Sequence, residues 1–442
     1  MDVLLSRLRE CGERVPHLEP MRLDGRVVQI KGLVIEASAR NVTVGDVCEI
    51  DVHPRGRIQA EIVGFQDDRI WLMPLGETVG VAPGSRVRLH PRPLTVPVGD
   101  HLLGRVLDGL GNPIDGLGPI ASDVQRSVYS DPPNSLVRQR IQTPLTTGVR
   151  AIDGLLTLGK GQRAGIFAGS GVGKSVLLGM MARYTDAEVI VIGLIGERGR
   201  EVREFIERDL GPEGLKRSVV VVATSDQAAT VRIKGALIAT SIAEYYRDQG
   251  KDVLLMMDSL TRVAMAQREI GLAIGEPPTT KGYTPSVFAL MPRLLERAGT
   301  DEQGSITGLY TVLVEGGDLD EPISDAARSI LDGHIVLSRK IATSGHYPAI
   351  DVLESISRVR SDIIDDSQKT MSRQVLELMA VHAESEDLIN IGAYSKGTNP
   401  RIDAAIDHHG AIRDFLRQDV QERSAYTDTL GRLQQLTAGM PS

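Results

Sequence analysis

The sequence is poor in cysteine and in aromatic residues, and it has no long apolar run. Cys11 and Cys48 are the only cysteines among 442 residues, too few for a disulfide framework or a cysteine-rich metal cluster, and this favours a reducing cytosol. Aromatic residues make up 3% of the chain, so the stacking surfaces typical of single-stranded nucleic-acid binding are not evident. Because no apolar run approaches the ~20 residues that span a bilayer, we expect any membrane role to be peripheral.

The chain also lacks an excess of positive charge. Its formal net charge of −8 disfavours a general nucleic-acid or anionic-membrane surface. Residues 1–10 are charged throughout and do not have the apolar core of a signal peptide. The hydrophobic share of 41% and the charged share of 24% are typical of a globular protein, and the length allows two or three domains.

A glycine-rich stretch stands out against this background. Residues 168–175 read Ala-Gly-Ser-Gly-Val-Gly-Lys-Ser, between an apolar run at 164–167 and a helix-like run at 176–182. This is the context of a phosphate-binding loop, because glycines let backbone N–H groups turn onto a polyphosphate and the following helix points its positive end at it. Lys174 is placed to reach the β- and γ-phosphates, and the Ser175 hydroxyl to ligate Mg²⁺. Ala168 stands where the motif has glycine, so we expect the strand to end one residue later.

The patterns along the chain predict four parts. Residues 1–20 read as a short amphipathic helix, either packed on its own domain or serving as a docking arm for a partner. Short alternating segments over 21–93 indicate a small antiparallel β-barrel. Continuous apolar runs within 94–361 are typical of buried parallel strands, preceded by a Pro/Gly-rich connecting segment up to about 150. Residues 362–442 read as helical.

Polar residues follow two of the predicted parallel strands. Glu197 and Arg198 follow the strand at 189–195, whereas Asp258 and, four residues later, Arg262 follow the strand at 253–257. Ligands of such sheets bind at the carboxyl ends of the strands, which favours a functional role over an ordinary surface ion pair. We expect Glu197 to polarise a water in line with the γ-phosphate and Arg198 to steady the phosphate or hold Glu197. Asp258 fits the carboxylate that orients Mg²⁺, and Arg262 is placed to support the phosphate site.

The segment 347–358 carries two further candidates. Tyr347 offers a flat ring for an adenine, and the alternative is core packing. Arg358 is a candidate arginine finger, which supplies positive charge to the transition state from a neighbouring subunit, and the alternative is an ordinary salt bridge. The residues alone leave both choices open.

Three runs together resemble a known family. Residues 165–179, 193–201 and 348–358 resemble the α/β-subunit superfamily of rotary ATP synthases and, within it, the export ATPases of type III secretion. The loop and the run that follows it to residue 184 are similar to the flagellar branch, which shares Ala168. The injectisome branch more often has a Ser-Ala-Gly-Cys-Gly-Lys-Thr style of loop. The resemblance covers essentially the whole chain.

The resemblance implies a fold and an activity. The fold would be α/β, with a RecA-like P-loop core on a parallel sheet, a small β-barrel before it and a helical C-terminal domain after it. The activity would be hydrolysis of Mg-ATP at sites shared between the subunits of a homohexamer, energising protein export. One subunit would supply Lys174, Ser175, Glu197, Arg198, Asp258 and Arg262, and the next subunit would supply Arg358. The nucleotide would contact Gly169, Ser170, Gly171, Val172, Gly173, Lys174, Ser175, Val176 and the adenine-stacking Tyr347.

The resemblance also implies partners and a location. A dimeric, stator-like regulator would dock at the N-terminal arm. A coiled-coil central stalk and chaperone–cargo complexes would meet the C-terminal region, and the enzyme would serve the export gate. It would be cytoplasmic and peripheral at the inner-membrane export apparatus, and nucleic acid would not be a partner.

Other classes of protein fit the sequence less well. A hexameric nucleic-acid translocase is disfavoured by the acidic balance and the few aromatics. A non-catalytic ring subunit is disfavoured by Glu197. An alternating ATP-synthase ring is disfavoured because one chain carries both Glu197 and Arg358. The virulence injectisome is the nearest alternative to the flagellum.

Overall fold

The computed structural model describes residues 24–54, 56–314 and 318–440. The predicted N-terminal arm, residues 1–20, lies outside the described residues. The chain forms two compact units, Met1–Leu94 and Thr95–Ser442.

The first unit is a closed six-stranded barrel in the order β1-β2-β5-β4-β3-β6, with antiparallel neighbours. Its strands are β1 Asp24–Lys31, β2 Val34–Ser38, β3 Asp46–Val52, β4 Gly56–Gln66, β5 Arg69–Pro74 and β6 Arg86–Pro93. Every second residue of β2 points inward, so Ile35 and Ala37 are fully buried, and Cys48 of β3 joins the same core. The barrel predicted from these alternating segments is confirmed.

The second unit is built on a nine-stranded sheet. Its main path runs β19-β18-β12-β17-β15-β13-β14-β8, and β16 pairs with β17. The strands of this unit are β7 Thr95–Pro97, β8 Val106–Asp108, β9 Gln125–Ser127, β10 Pro144–Leu145, β11 Leu158–Gly159, β12 Arg163–Ala168, β13 Val189–Ile195, β14 Ser218–Ala223, β15 Asp252–Asp258, β16 Gly299–Thr300, β17 Ser305–Leu313, β18 Gly333–Leu337 and β19 Ile350–Ser357.

Helices cover this sheet and form the C-terminal part of the unit. The α-helices are α1 Lys174–Tyr184, α2 Gly199–Glu204, α3 Gly211–Lys216, α4 Ala229–Arg247, α5 Leu260–Ala273, α6 Pro285–Leu295, α7 Pro322–Ile330, α8 Arg339–Thr343, α9 Arg360–Ile363, α10 Asp366–Asn390, α11 Pro400–Leu416 and α12 Tyr426–Thr437. Short 3₁₀ and π turns complete the list at Asp100–Leu102, Ile152–Leu156, Phe205–Leu210 and Thr280–Gly282.

The continuous apolar runs are the buried parallel strands that the sequence predicts. All residues of β13 and β14 are buried, because helices pack on both faces of a parallel sheet. The strands β12, β13, β14, β15, β17 and β18 are mutually parallel, so their carboxyl ends share one edge of the sheet. That edge is where the glycine-rich loop begins.

Two edge strands lie in segments whose sequence patterns do not predict a strand. β8 lies in the Pro/Gly-rich segment before residue 150 and pairs with β14 in parallel. Only three residues long, it has too short a pattern to be read from sequence. β19 is antiparallel to β18 and lies at the other edge of the sheet, where Leu353 and Ile356 are exposed. Its apolar pattern is therefore broken by polar residues.

The C-terminal helices α10, α11 and α12 pack on one another and on the π turn Ile152–Leu156. In the described ranges, we find no helix with both the length and the apolar character needed to cross a membrane.

Candidate active site

The glycine-rich loop joins β12 to α1 at the carboxyl edge of the sheet. β12 includes Ala168, which is buried and has ordinary backbone angles, as expected for a strand that ends one residue later. Gly171 and Gly173 have φ of 76° and 89°, a region that side chains other than glycine rarely adopt. The helix then begins at Lys174, so its free N–H groups face the loop.

Lys174 lies between two carboxylates from neighbouring strands. Its Nζ atom forms an ion pair with Asp258 Oδ1 and lies 3.5 Å from Glu197 Oε1. All three side chains are largely buried, with exposed fractions of 12%, 5% and 15% for Lys174, Asp258 and Glu197. The structure therefore brings together the three residues that the sequence placed at separate strand ends.

The charges in this cluster are unbalanced. Burial, together with the negative charge of Asp258, raises the pKa of Glu197 to about 7, although Lys174 opposes the shift. Burial alone would lower the pKa of Lys174, but the carboxylates of Asp258 and Glu197 hold it above its usual value. Lys174 is thus shared between two carboxylates.

Asp258 is held by a neighbour that the sequence did not reveal. The Thr311 hydroxyl on β17 donates to Asp258 Oδ1 at 2.6 Å and is fully buried. β15 and β17 are adjacent parallel strands, and this places the two side chains side by side. A threonine inside an apolar strand gives no signal of this role until the strand order is known.

Arg262 and Arg198 lie differently around the cluster. Arg262 is on the first turn of α5 and packs against Gly196. A Cβ added to Gly196 would lie only 2.6 Å from the Cβ of Arg262. Its Nε atom is buried and, within the described ranges, has no hydrogen-bond partner. Arg198 is on the rim instead, since its side chain is 80% exposed and lies 3.8 Å from the Glu201 carboxylate.

Tyr347 stands beside the loop, but Arg358 does not. The ring of Tyr347 is 3.5 Å from where a Cβ on Gly173 would lie, and the residue is 45% exposed. Tyr347 precedes β19 at the carboxyl edge, because Ile350 pairs with Leu337. Arg358 follows β19 at the opposite edge, where its guanidinium donates to Arg328 O at 3.2 Å. An eight-residue strand separates the two, about 26 Å at the usual rise, so Arg358 cannot reach the loop of its own chain.

The loop and Glu197 line an open cleft of about 840 Å³. Arg198 and Arg262 also line it, and so do Glu201, Arg208 and Arg339, which the sequence did not single out. Arg339 follows β18 and donates to Ser170 O at 3.1 Å, so it holds the loop's backbone. Its position just past a strand's carboxyl end was the signal that could have identified it.

The donor set suits a nucleotide with Mg²⁺. Mg²⁺ binds through one or two protein oxygens together with phosphates and water. The Ser175 hydroxyl and the Asp258 carboxylate are oxygen donors of this kind, and the backbone of residues 169–173 is open to a polyphosphate.

Comparison with known families accounts for most of the chain. The β-barrel domain of the ATP synthase alpha/beta family matches residues 27–89, and the nucleotide-binding domain of that family matches residues 148–357. The T3SS EscN ATPase C-terminal domain matches residues 364–435.

Individual proteins match over nearly their full length. A flagellum-specific ATP synthase of Bacillus subtilis is 53% identical over 423 residues, which are 93% of this chain and 95% of that protein. A type 3 secretion system ATPase of Xanthomonas euvesicatoria is also 53% identical, over 414 residues, 93% of this chain and 94% of that protein. The assembled ATPase EscN of enteropathogenic E. coli, solved in complex with its central stalk EscO, has a TM-score of 0.87 and 44% identity, and covers 94% of this chain and 100% of its own. The fold and the family predicted from the three sequence runs are thus confirmed.

Proposed function

This chain belongs to the ATP synthase alpha/beta family, as an ATPase of its flagellar and type III secretion group, and we propose that it hydrolyses Mg-ATP between subunits of a homohexamer to energise flagellar protein export. The observation that carries the proposal is the Lys174–Glu197–Asp258 cluster beside the glycine-rich loop.

Each member of the cluster has a distinct task. Glu197 accepts a proton from the water that attacks the γ-phosphate, and a pKa of about 7 suits a base working near neutral pH. Lys174 moves from the carboxylates to the β- and γ-phosphates. Ser175 and Asp258 would hold Mg²⁺, which would supply positive charge to the phosphates. Residues 169–176 cradle the polyphosphate, Arg262 supports it, and Arg198 steadies it from the rim.

The site of a single chain is incomplete in this scheme. Arg358 lies at the opposite sheet edge from its own loop, so it acts as the finger in the site of the next subunit. A finger contributes on the order of 10³–10⁵ in rate, so hydrolysis depends on assembly. Tyr347, beside Gly173, stacks on the adenine.

The partners and the location follow the family. We propose that a coiled-coil central stalk and chaperone–cargo complexes meet the C-terminal region, that a dimeric regulator binds residues 1–20, and that the enzyme serves the export gate. The enzyme works in the cytoplasm, peripheral to the export apparatus. Residues 21–93, 94–361 and 362–442 act as barrel, ATPase core and helical domain.

A virulence injectisome is the second candidate. It is supported by the equal identity, 53%, of the Xanthomonas secretion ATPase and the Bacillus flagellar protein. The loop residues at 168–175 favour the flagellum. Restoration of motility in a strain without its own flagellar ATPase separates the two.

Shared sites make a direct test possible by mixing variants. Glu197→Gln lacks the base but offers Arg358, whereas Arg358→Ala lacks the finger but keeps the base. We expect each alone to lose about 10³-fold in turnover at any concentration while still binding nucleotide. When equal amounts are mixed, about one interface in four combines an intact Glu197 with an intact Arg358, so activity returns towards a quarter of the wild-type value.

The controls separate assembly from chemistry. Arg373→Ala removes another exposed arginine, on α10, and should leave turnover unchanged. Wild-type specific activity should rise with protein concentration. If the mixture stays as inactive as its components, or if Arg358→Ala alone is unimpaired, the shared-site proposal is wrong.

A further inference from the structure

The loop between α11 and α12 lies against the nucleotide-binding part of the second unit. We call residues 417–422 the connector. Gln418 is its most buried member, with an exposed fraction of 3%. Its backbone N–H donates to the carbonyl oxygen of Tyr347 at 3.0 Å, so the connector is bonded directly to the residue beside the glycine-rich loop.

Both the oxygen and the nitrogen of the Gln418 side-chain amide form hydrogen bonds. Its Oε1 accepts from the Arg150 backbone N–H at 2.8 Å. Its Nε2 donates to Gly148 O and to Glu422 O, both at 2.7 Å. Every one of these partners is a main-chain group, so the amide fixes backbone positions on both sides of the contact.

Arg150 holds the connector from the other side. It is buried, with an exposed fraction of 2%, and its Nε donates to Phe415 O at 2.9 Å. The same guanidinium donates to Arg417 O and forms an ion pair with Glu422. The connector is therefore fastened at both its ends.

The connector also contacts the end of α1, the helix that begins with Lys174. Arg183 Nη2 and the Tyr184 hydroxyl donate to Val420 O at 2.8 Å and 3.1 Å. One short segment thus joins the C-terminal helices to the backbone of Tyr347 and to the helix of the phosphate-binding loop.

We propose that Gln418 is a positioning residue that holds Tyr347 in place for the nucleotide base, so that the C-terminal helices set nucleotide affinity through it. The inference rests on the proposed role of Tyr347. Tyr347 is 45% exposed and its ring lies beside Gly173 of the loop, so a hydrogen bond to its backbone carbonyl influences where the ring lies.

The chain provides a matched control in Gln368. This glutamine is as buried, at 1%, and also joins the C-terminal helices to the core. Its Nε2 donates to Asp153 O at 3.0 Å and to Thr157 Oγ1 at 3.0 Å, and its Oε1 accepts from the Tyr426 hydroxyl at 2.7 Å. Its side-chain bonds go to the 153–157 turn and to α12, and its backbone N–H donates to Asp365 Oδ1, whereas that of Gln418 donates to Tyr347 O.

The experiment compares Gln418→Met with Gln368→Met in the full chain. Both changes keep the volume of the side chain and remove its hydrogen bonds, so both should lower the melting temperature. Gln418→Met keeps the backbone N–H that bonds Tyr347 O but frees the connector that positions it, so only this variant should raise the dissociation constant of Mg-AMP-PNP, by about tenfold. Inorganic tripolyphosphate, which has no base, should bind both variants within about twofold of wild type.

A double-mutant cycle with Tyr347→Ala tests whether Gln418 affects nucleotide binding through Tyr347. If Gln418 acts through Tyr347, then Gln418→Met should add nothing to the weaker binding of Tyr347→Ala. Gln418→Glu, which keeps the acceptor for Arg150, is the second variant if Gln418→Met does not fold, and it should weaken AMP-PNP in the same direction.

Each outcome has one meaning. Unchanged AMP-PNP affinity in the Gln418 variants, an equal loss of tripolyphosphate affinity, or effects that multiply in the cycle would overturn the inference while leaving the proposed ATPase intact. If Tyr347→Ala itself binds AMP-PNP normally, the proposed role of Tyr347 fails, and the inference fails with it.

Discussion

The strand β15 begins and ends with an aspartate, and the two have opposite surroundings. At the amino edge, Asp252 has a partner of its own, because Lys160 Nζ lies 2.7 Å from one carboxylate oxygen and the Ser305 hydroxyl donates to the other at 2.7 Å. At the carboxyl edge, Asp258 shares Lys174 with Glu197.

The difference separates ion pairs that stabilise the fold from charged residues that are proposed to take part in hydrolysis. At the amino edge cations and anions are matched, since two arginines, Arg138 and Arg163, face the carboxylates of Glu296 and Asp332. Hydrogen bonding and charge from Asp252 raise the pKa of Lys160 although burial opposes this, so the pair stays ionised. At the carboxyl edge two carboxylates share Lys174, and Arg198, Arg208, Arg262 and Arg339 line the same cleft, which suits an incoming polyanion. Three predictions test this contrast.

The largest effect is expected for Asp258→Asn. This change removes the proposed metal ligand, so turnover should fall by about 10³-fold or more, the several kcal/mol that metal-ion stabilisation supplies. The nucleotide-free protein should be no less stable, because Lys174 still has Glu197. Steady-state ATPase assays and thermal unfolding measure the two quantities. An active Asp258→Asn enzyme would contradict the assignment.

The same substitution at the other end of the strand should act on stability alone. Asp252→Asn leaves Lys160 half-buried without its carboxylate, so the free energy of unfolding should fall by about 1–3 kcal/mol. Turnover per folded molecule should equal that of wild type. Denaturant unfolding and ATPase assays well below the melting temperature test this. A loss of turnover there would show that the two edges are not functionally distinct.

The smallest effect concerns pH. Burial raises the pKa of Glu197 to about 7 in the nucleotide-free protein, so between pH 4.5, its ordinary pKa, and about 7 the folded chain binds more protons than the unfolded chain. This contribution to stability is complete below that range and is lost as the pH rises through it. Glu197→Gln lacks this pH-dependent contribution. The melting temperature of the variant minus that of wild type should therefore increase as the pH rises from about 5 to about 8. Parallel melting curves would show that Glu197 has an ordinary pKa.

Much of the site could be predicted because it depends on local patterns. The glycine loop, Lys174, Glu197 and Asp258 each follow a continuous apolar strand, and parallel strands end at one edge of the sheet. Ala168 was also interpreted correctly, since a strand position needs no unusual backbone angle.

The rest depends on strand order and on distant chain segments. Thr311 contacts Asp258 only because β17 lies beside β15. Gln418 meets Tyr347 through a hydrogen bond across 71 positions, which no local pattern encodes. Tyr347 and Arg358 lie in one short segment of the sequence, but an antiparallel edge strand places them at opposite edges of the sheet.

The ion pair of Lys174 with Asp258 has a consequence for the order of events in a catalytic cycle. While the Lys174 ammonium is paired with the Asp258 carboxylate, a free divalent ion can bind Asp258 only by displacing the lysine. We therefore expect the nucleotide-free site to bind little metal by itself. An arriving polyphosphate gives Lys174 a better partner and frees the aspartate at the same moment. Metal and nucleotide should therefore load together, and the same lysine should re-enter the carboxylate pair as products depart.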